Sequence, residues 1–424
     1  MPKGAVREAV LDNGVRIVLE RLPTAKSVAA GIWVNAGSRD ESAGEEGFSH
    51  FLEHMLFKGT RRRTATQISR EIDALGGELN AFTTRETTTY YVKVLDQHLP
   101  AGVALLTDIF HHARLDSKEI EKEKQVVLEE IRMVQDDPED LVQELHSEQM
   151  LRGHPLGRPI LGRIPTIERL DRLRLLRYRA RHYHPRRTVV AVAGNFQPEE
   201  MLRLMTKQFG SFHEAGDGAG VASPERWPAQ VRGGVMGRRK PLEQVHLSIG
   251  FPGLPMGHKD RYAAHALNVI LGGSVSSRLF EEIREKRALS YSIYSYLATF
   301  SDSGTWTVYA ATRPSEAARV VELICRELRR LRRGVPKAEL ARAKQHMKGS
   351  VMLGLEGTTS RMSKLAKDAL FEGRHRTLEG IIADIERVSK DQIERVAHEL
   401  INLSNLSASA LGPISEKAIR CALA

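Results

Sequence analysis

Residues 120–130 read IEKEKQVVLEE, and residues 340–350 read LARAKQHMKGS. Laid over one another, they share a Lys-Gln pair at one point of a long charged helix. Lys124-Gln125 returns as Lys344-Gln345, about 220 residues further on. The neighbouring elements return too. In the first half a strand region (27–39), a helix (44–60), a strand region rich in Thr, Tyr and Val (78–95) and a helix (99–115) precede the charged helix (117–133). In the second half a strand (244–251), a helix (260–273), a strand pair (291–312) and a helix (314–333) precede the charged helix that begins near Pro336. This order predicts an internal duplication and two domains of one architecture.

Between the halves the periodicity stops. Residues 212–240, FHEAGDGAGVASPERWPAQVRGGVMGRRK, are rich in Gly, Ala and Pro, which predicts a linker. The expected layout is a domain over 1–212, a linker over 213–240 and a homologous domain over 241–424. In the first domain, residues 6–20 alternate around Asp12-Asn13-Gly14 and predict a hairpin. A helix over 64–77 ends at Gly76-Gly77. RTVVAVAGN (187–195) reads as a buried strand, and a helix begins near Pro198.

Composition narrows the function classes. The chain has 424 residues, 41% hydrophobic and 27% charged, which suits a soluble protein with large cores. Apolar runs such as VVAVAG (189–194) fall far short of the ~20 residues of a membrane span. The first residues, MPKGAVREAVLDNGVRIVLE, show no apolar leader, so a cytoplasmic location is expected. Cys325 and Cys421 are too few for a disulfide framework or a thiolate metal site. The net charge of +10 raises nucleic acid as a partner. The basic residues are spread along helices, without interleaved aromatics, and the densest run (RRLRRG, 329–334) closes a helix, where cations suit the dipole. No nucleic-acid partner is expected.

The first half also carries chemistry that the second lacks. HFLEH (50–54) sets His50 and His54 four apart, on one face of a helix, with Glu53 beside them. Two histidines so placed can grip one metal ion. A catalytic zinc takes three protein ligands and keeps one position open. The charged helix offers Glu121, Glu123, Glu129 and Glu130 for the third. Glu123 and Glu130 are seven apart and share a face with Val126 and Val127, which predicts a core-facing side. Carboxylates on a buried face need a metal or a charge partner. The aligned positions in the second half are Ala343 and Ser350, and AAHALNVIL replaces HFLEH. Glu53 then suits a general base, because zinc lowers the pKa of the water it binds and a nearby carboxylate can take the proton. The order His-x-x-Glu-His is the inverted zinc-protease motif.

With these stretches the chain resembles the pitrilysin/insulinase zinc metallopeptidases, and most the two-domain, mitochondrial-processing-peptidase-like bacterial type. GSRDE (37–41), SHFLEHMLFKGT (49–60), GGELNAFTTRETTTYY (76–91), EKEKQVVLEEI (121–131), HPLGRPILG (154–162) and LGGSVSSRLFEEIREKRALSYSIYS (271–295) carry the resemblance across nearly the whole chain. It implies an α+β fold: two homologous domains, each a mostly antiparallel sheet with helices packed on one side. It implies one zinc ion per chain on His50, His54 and Glu130, Glu53 as the base and Glu123 as the carboxylate behind a ligand. It implies that Asn80, Ala81 and Phe82 lie on an edge strand that takes up extended peptide. It also implies that Arg284 and Tyr291, from the inactive second domain, act near the scissile bond. Gly272-Gly273 matches the family's glycine-rich loop, with Val275 where a further glycine is often found. The function implied is a zinc endopeptidase acting on peptides or unfolded segments. Its expected form is a homodimer, or a heterodimer with an inactive paralogue. The alternative is a non-catalytic scaffold or peptide-binding subunit.

Overall fold

A computed structural model of the chain describes residues 6–212 and 226–423. It comprises two compact units, each built on one sheet. The first unit takes Met1–Arg132, Pro159–Glu225 and Gly354–His375; the second takes Met133–Arg158, Arg226–Leu353 and Arg376–Ala424. Each unit thus includes a segment from the other half of the sequence. The straight division at 213–240 does not describe the compact units.

In the first unit the strands are β1 (Val6–Val10), β2 (Arg16–Arg21), β3 (Ser27–Val34), β4 (Glu78–Thr83), β5 (Thr88–Leu95) and β6 (Thr188–Gly194), in the order β1-β2-β6-β3-β5-β4. Only β2 and β6 run parallel. The central strands are apolar without alternation, because both faces are covered. Val28, Ala30, Ile32 and Val34 of β3 face the main core, with helices α1 (Phe48–Leu56), α2 (Ala65–Ala74), α3 (Leu99–His112) and α4 (Ser117–Asp136). Ala29 and Trp33, with Val189, Ala191 and Ala193 of β6, meet Met362, Leu365 and Ala366 of the helix Thr358–Lys367. Small residues let that helix approach: a Cβ on Gly31 would sit 2.4 Å from the Trp33 ring and 3.1 Å from Met362 Sδ.

The second unit repeats the plan with β7 (Gly234–Arg238), β8 (Val245–Pro252), β9 (Ser290–Thr299), β10 (Gly304–Thr312) and β11 (Ser407–Leu411), in the order β7-β11-β8-β10-β9. Only β7 and β11 are parallel. Leu247, Ile249, Val308 and Ala310 face the main core and its helices. Tyr309, Ala311 and Leu411 face the other way, onto Leu141 and Val142 of helix α5 (Pro138–Met150). Helices on one side therefore describe the main layer, while one further helix closes the opposite face.

Part of the expected linker is structured. Residues 213–225 lie outside the described residues, but Gly234–Arg238 forms the edge strand β7. Its sequence, GVMGR, is only half-buried and so lacks the alternation that marks a strand. The helix α1 is shorter than 44–60, because Gly47 ends the preceding loop with φ +93°.

Candidate metal centre

The centre begins with how α1 starts. Gly47 holds a left-handed conformation, and a Cβ there would come within 2.5 Å of the Leu161 carbonyl and 2.9 Å of Gly162 Cα. Two backbones meet at a distance only glycine allows, which explains why HPLGRPILG ends in Gly162. The Glu41 carboxylate accepts the N–H groups of Gly47 (2.9 Å) and Ser49 (2.8 Å), taking up donors that the first turn leaves free. Phe48, Phe51, Leu52, Met55 and Leu56 are buried in the core, so the helix presents His50, Glu53 and His54 on its other side.

Opposite them stands α4. Glu130 Oε2 lies 3.7 Å from His50 Nε2 and 3.8 Å from His54 Nε2. Among the described residues, one ligand atom from each of His50, His54 and Glu130 lies within 4.8 Å of the others. Glu130 Oε2 and His50 Nδ1 are buried and make no hydrogen bond. A buried carboxylate oxygen without a donor, aimed at two imidazole nitrogens, is costly by itself and suits a cation. Two nitrogens and one carboxylate oxygen are a donor set that zinc accepts. Burial, and next the neighbouring His54, push His50 down to about 3, so its ring is neutral and able to ligate.

Behind the candidate ligands runs a chain of charges. His54 Nδ1 is 2.8 Å from Glu123 Oε1, and Lys58 Nζ is 2.6 Å from Glu123 Oε2. Burial favours the neutral acid at Glu123, but the bonds from His54 and Lys58 outweigh it and hold the carboxyl below its ordinary range. Burial also works against charge on His54, yet the bond to Glu123 and the charges of Glu130 and Glu53 carry its ring above the ordinary value. With Nδ1–H donated to Glu123, Nε2 is left for a ligand role. Of the two valines expected on the core face of α4, Val127 is fully buried but Val126 is 44% exposed. Residue 126 follows Glu123 by three positions and falls just past the edge of the buried stripe.

Glu53 is only 9% exposed, and Thr83 Oγ1 donates to its Oε2 at 2.6 Å. Burial drives its carboxyl upward against that bond. Thr83 ends β4, the free edge of the first sheet, so one strand carries the partner of Glu53 and the candidate peptide edge. On that edge Asn80 and Phe82 point outward and Ala81 is half-buried, with the Ala81 N–H accepted by Asn80 Oδ1 at 2.8 Å. Arg284 and Tyr291 belong to the second unit, outside this cluster. There the guanidinium stacks 4.3 Å over the Tyr291 ring and donates to the Tyr291 carbonyl at 3.2 Å. In the same unit Ala343, aligned with Glu123, is a core residue.

Lys58 and Thr83 were not singled out from the sequence. Lys58 reads as a surface cation two residues past a helix, and Thr83 is one of several threonines in FTTRETTT. The spacing of Lys58, one turn after His54, is the one signal that could mark it.

Comparison with known proteins agrees with this architecture. The family model for insulinase (peptidase family M16) matches residues 16–163, and that for the peptidase M16 inactive domain matches residues 169–347. The chain belongs to the M16 peptidase family. An uncharacterized zinc protease of Bacillus subtilis is 42% identical over 396 residues, which cover 93% of this chain and 95% of that protein. One from Mycobacterium leprae is 41% identical over 418 residues, covering 97% and 93%. The crystal structure of a protease from Helicobacter pylori superposes with a TM-score of 0.91 at 22% identity, over 97% of this chain and all of that one. A chain of complex III2 from Candida albicans gives 0.84, also at 22%, over 99% and 100%. These two likenesses concern the fold.

Proposed function

We propose that the chain is a zinc-dependent endopeptidase, with one zinc ion on His50, His54 and Glu130 and with Glu53 as general base. One observation carries this reading: two imidazole nitrogens and an unpartnered carboxylate oxygen converge within 4.8 Å, next to a second, buried carboxylate. The relatives' name, zinc protease, supports it. When bound, zinc supplies Lewis acidity toward water and the peptide carbonyl. Glu53 takes a proton from the attacking water as the O–C bond forms, then gives it to the nitrogen as the C–N bond breaks. Thr83 fixes the carboxylate that does this. Glu123 keeps His54 in one tautomer, and Lys58 keeps Glu123 charged. The free edge of β4 at Asn80, Ala81 and Phe82 takes up extended peptide by strand addition. Arg284 and Tyr291 enter as substrate-side groups on the strength of the family resemblance. Peptides or unfolded segments are the substrates, and a homodimer is the working form.

The test compares the wild type with Glu53→Gln for bound metal and for cleavage of quenched peptides. Both should hold one zinc, while kcat falls about 10²–10⁴-fold in the variant. A wild type that binds zinc and cleaves nothing would favour the peptide-binding scaffold. A chain that binds no metal would remove the enzyme reading altogether.

A further inference from the structure

The first unit holds a concavity that shares no residue with the candidate metal centre. Its volume is about 730 Å³, within the roughly 300–1,000 Å³ of small-molecule sites. Arg61, Arg114, Lys118, Arg172 and Arg179 line it, together with His111 and His112; Asp116 is its only acid. The Asp116 carboxylate is engaged in accepting the Lys118 N–H at 2.9 Å, at the start of α4. The nearby Asp108 is bound to Thr60, Arg63 and His112. Among the described residues, none of the four arginines nor Lys118 makes an ion pair.

Two of these arginines are held in place by backbone. Arg172 Nε donates to the Leu115 carbonyl at 2.8 Å, and Arg179 Nη2 to the Phe110 carbonyl at 2.6 Å. These bonds orient the guanidinium groups without neutralising them. Arg179 is half-buried and lies close enough to Arg61 for their charges to oppose each other. His111 Nε2 is buried in the same wall without a partner. Converging cations that outnumber a single lining carboxylate repel one another and suit a bound anion. Fixed guanidinium forks match the oxygens of phosphate.

We propose that this concavity binds a small, multiply charged oxyanion of the pyrophosphate class. Four guanidinium groups around one cavity exceed what a single carboxylate needs. The concave shape favours a compact ligand over a nucleic-acid strand, which would need an extended groove with stacking aromatics. The site also gives a local meaning to part of the net charge of +10, which a peptidase centre does not use.

The test is calorimetric titration of the full chain with inorganic pyrophosphate at about 0.1 M salt, where exposed charges more than about 10 Å apart are screened. Pyrophosphate also chelates zinc, so metal-loaded and metal-free protein are titrated in parallel. The expected result is saturable binding to both forms, weakened about tenfold or more in Arg61→Glu/Arg114→Glu. Both side chains are exposed, and thermal unfolding checks that the variant is folded; Arg61→Gln/Arg114→Gln serves as the milder pair. Zinc content and peptide cleavage should be unchanged in either pair. Binding only to the metal-loaded chain, or binding that both pairs leave intact, would overturn the proposal. So would failure of pyrophosphate to bind while duplex DNA binds with steep salt dependence, since the face would then be a polyanion surface.

Discussion

At the scale of single residues, the candidate centre is backed by groups outside its own three residues. Lys58 reaches Glu123, Glu123 reaches His54, and each link is under 3 Å. Replacing Lys58 by Met keeps the length of the side chain but leaves the buried Glu123 carboxylate with one partner. Metal affinity should then fall about 10–100-fold, as it does when such outer partners are lost elsewhere. Competition with a chelator of known affinity measures this, and an unchanged affinity would assign Lys58 a surface role only. Thr83 acts on the other carboxylate. On the proposed mechanism activity needs Glu53 ionised, so kcat/KM falls as pH drops through its value, which burial raises in the metal-free chain. The Thr83 hydroxyl stabilises the charged carboxylate and opposes that rise. Thr83→Val should therefore move the acid limb of the pH–rate profile to higher pH with metal content unchanged. If the limb stays where it was, the hydroxyl does not tune the base. The candidate ligands were legible, because i,i+4 histidines and a carboxylate pair seven apart are patterns with few other uses. Lys58 and Thr83 were not, since an ion pair from a loop to a distant helix and a strand-to-helix hydrogen bond join residues far apart in the sequence.

Among elements, the placement of α1 decides whether the histidines meet Glu130. That placement rests on Gly47 lying against Leu161 and Gly162. Gly47→Ala would force a Cβ into the Leu161 carbonyl at 2.5 Å and into a φ of +93°, at a cost of about 1–3 kcal/mol. Gly44→Ala provides the comparison. Gly44 has a φ of +83°, but its nearest neighbour would be an arginine nitrogen at 3.8 Å. Thermal unfolding should show the larger loss for Gly47→Ala, and metal retention should drop in that variant alone. Equal losses would mean that backbone strain, and not the close approach, accounts for the glycine. The helices around the centre were readable from their period, as were the strands Ser27–Val34 and Thr188–Gly194 from their apolar runs. Strand β7 was hidden by its glycines, and residues 355–424 offered amphipathic helices whose place the sequence does not state.

For the molecule as a whole, the duplication predicted two like units, and two like sheets with one parallel pair each are found. What it could not predict is the exchange of segments. An amphipathic helix records that it has an apolar face, not which sheet that face will meet. In both halves the helix that follows the long charged one joins the other unit: α5 after α4, and Thr358–Lys367 after Lys337–Gly354. The outer face of each sheet is therefore closed by residues encoded in the opposite half. A chain cut between Phe212 and Arg226 tests this. The fragment ending at Phe212 would leave Ala29, Trp33, Val189 and Ala193 without Met362, Leu365 and Ala366, and would carry Leu141 and Val142 uncovered. The other fragment would leave Tyr309, Ala311 and Leu411 bare. Exposed apolar faces of this kind drive aggregation. Each fragment expressed alone should be insoluble or lack cooperative unfolding, whereas co-expression should yield a soluble pair that binds one zinc. A first fragment that folds and binds zinc by itself would show that the borrowed helix is dispensable, and that the first half alone specifies its unit.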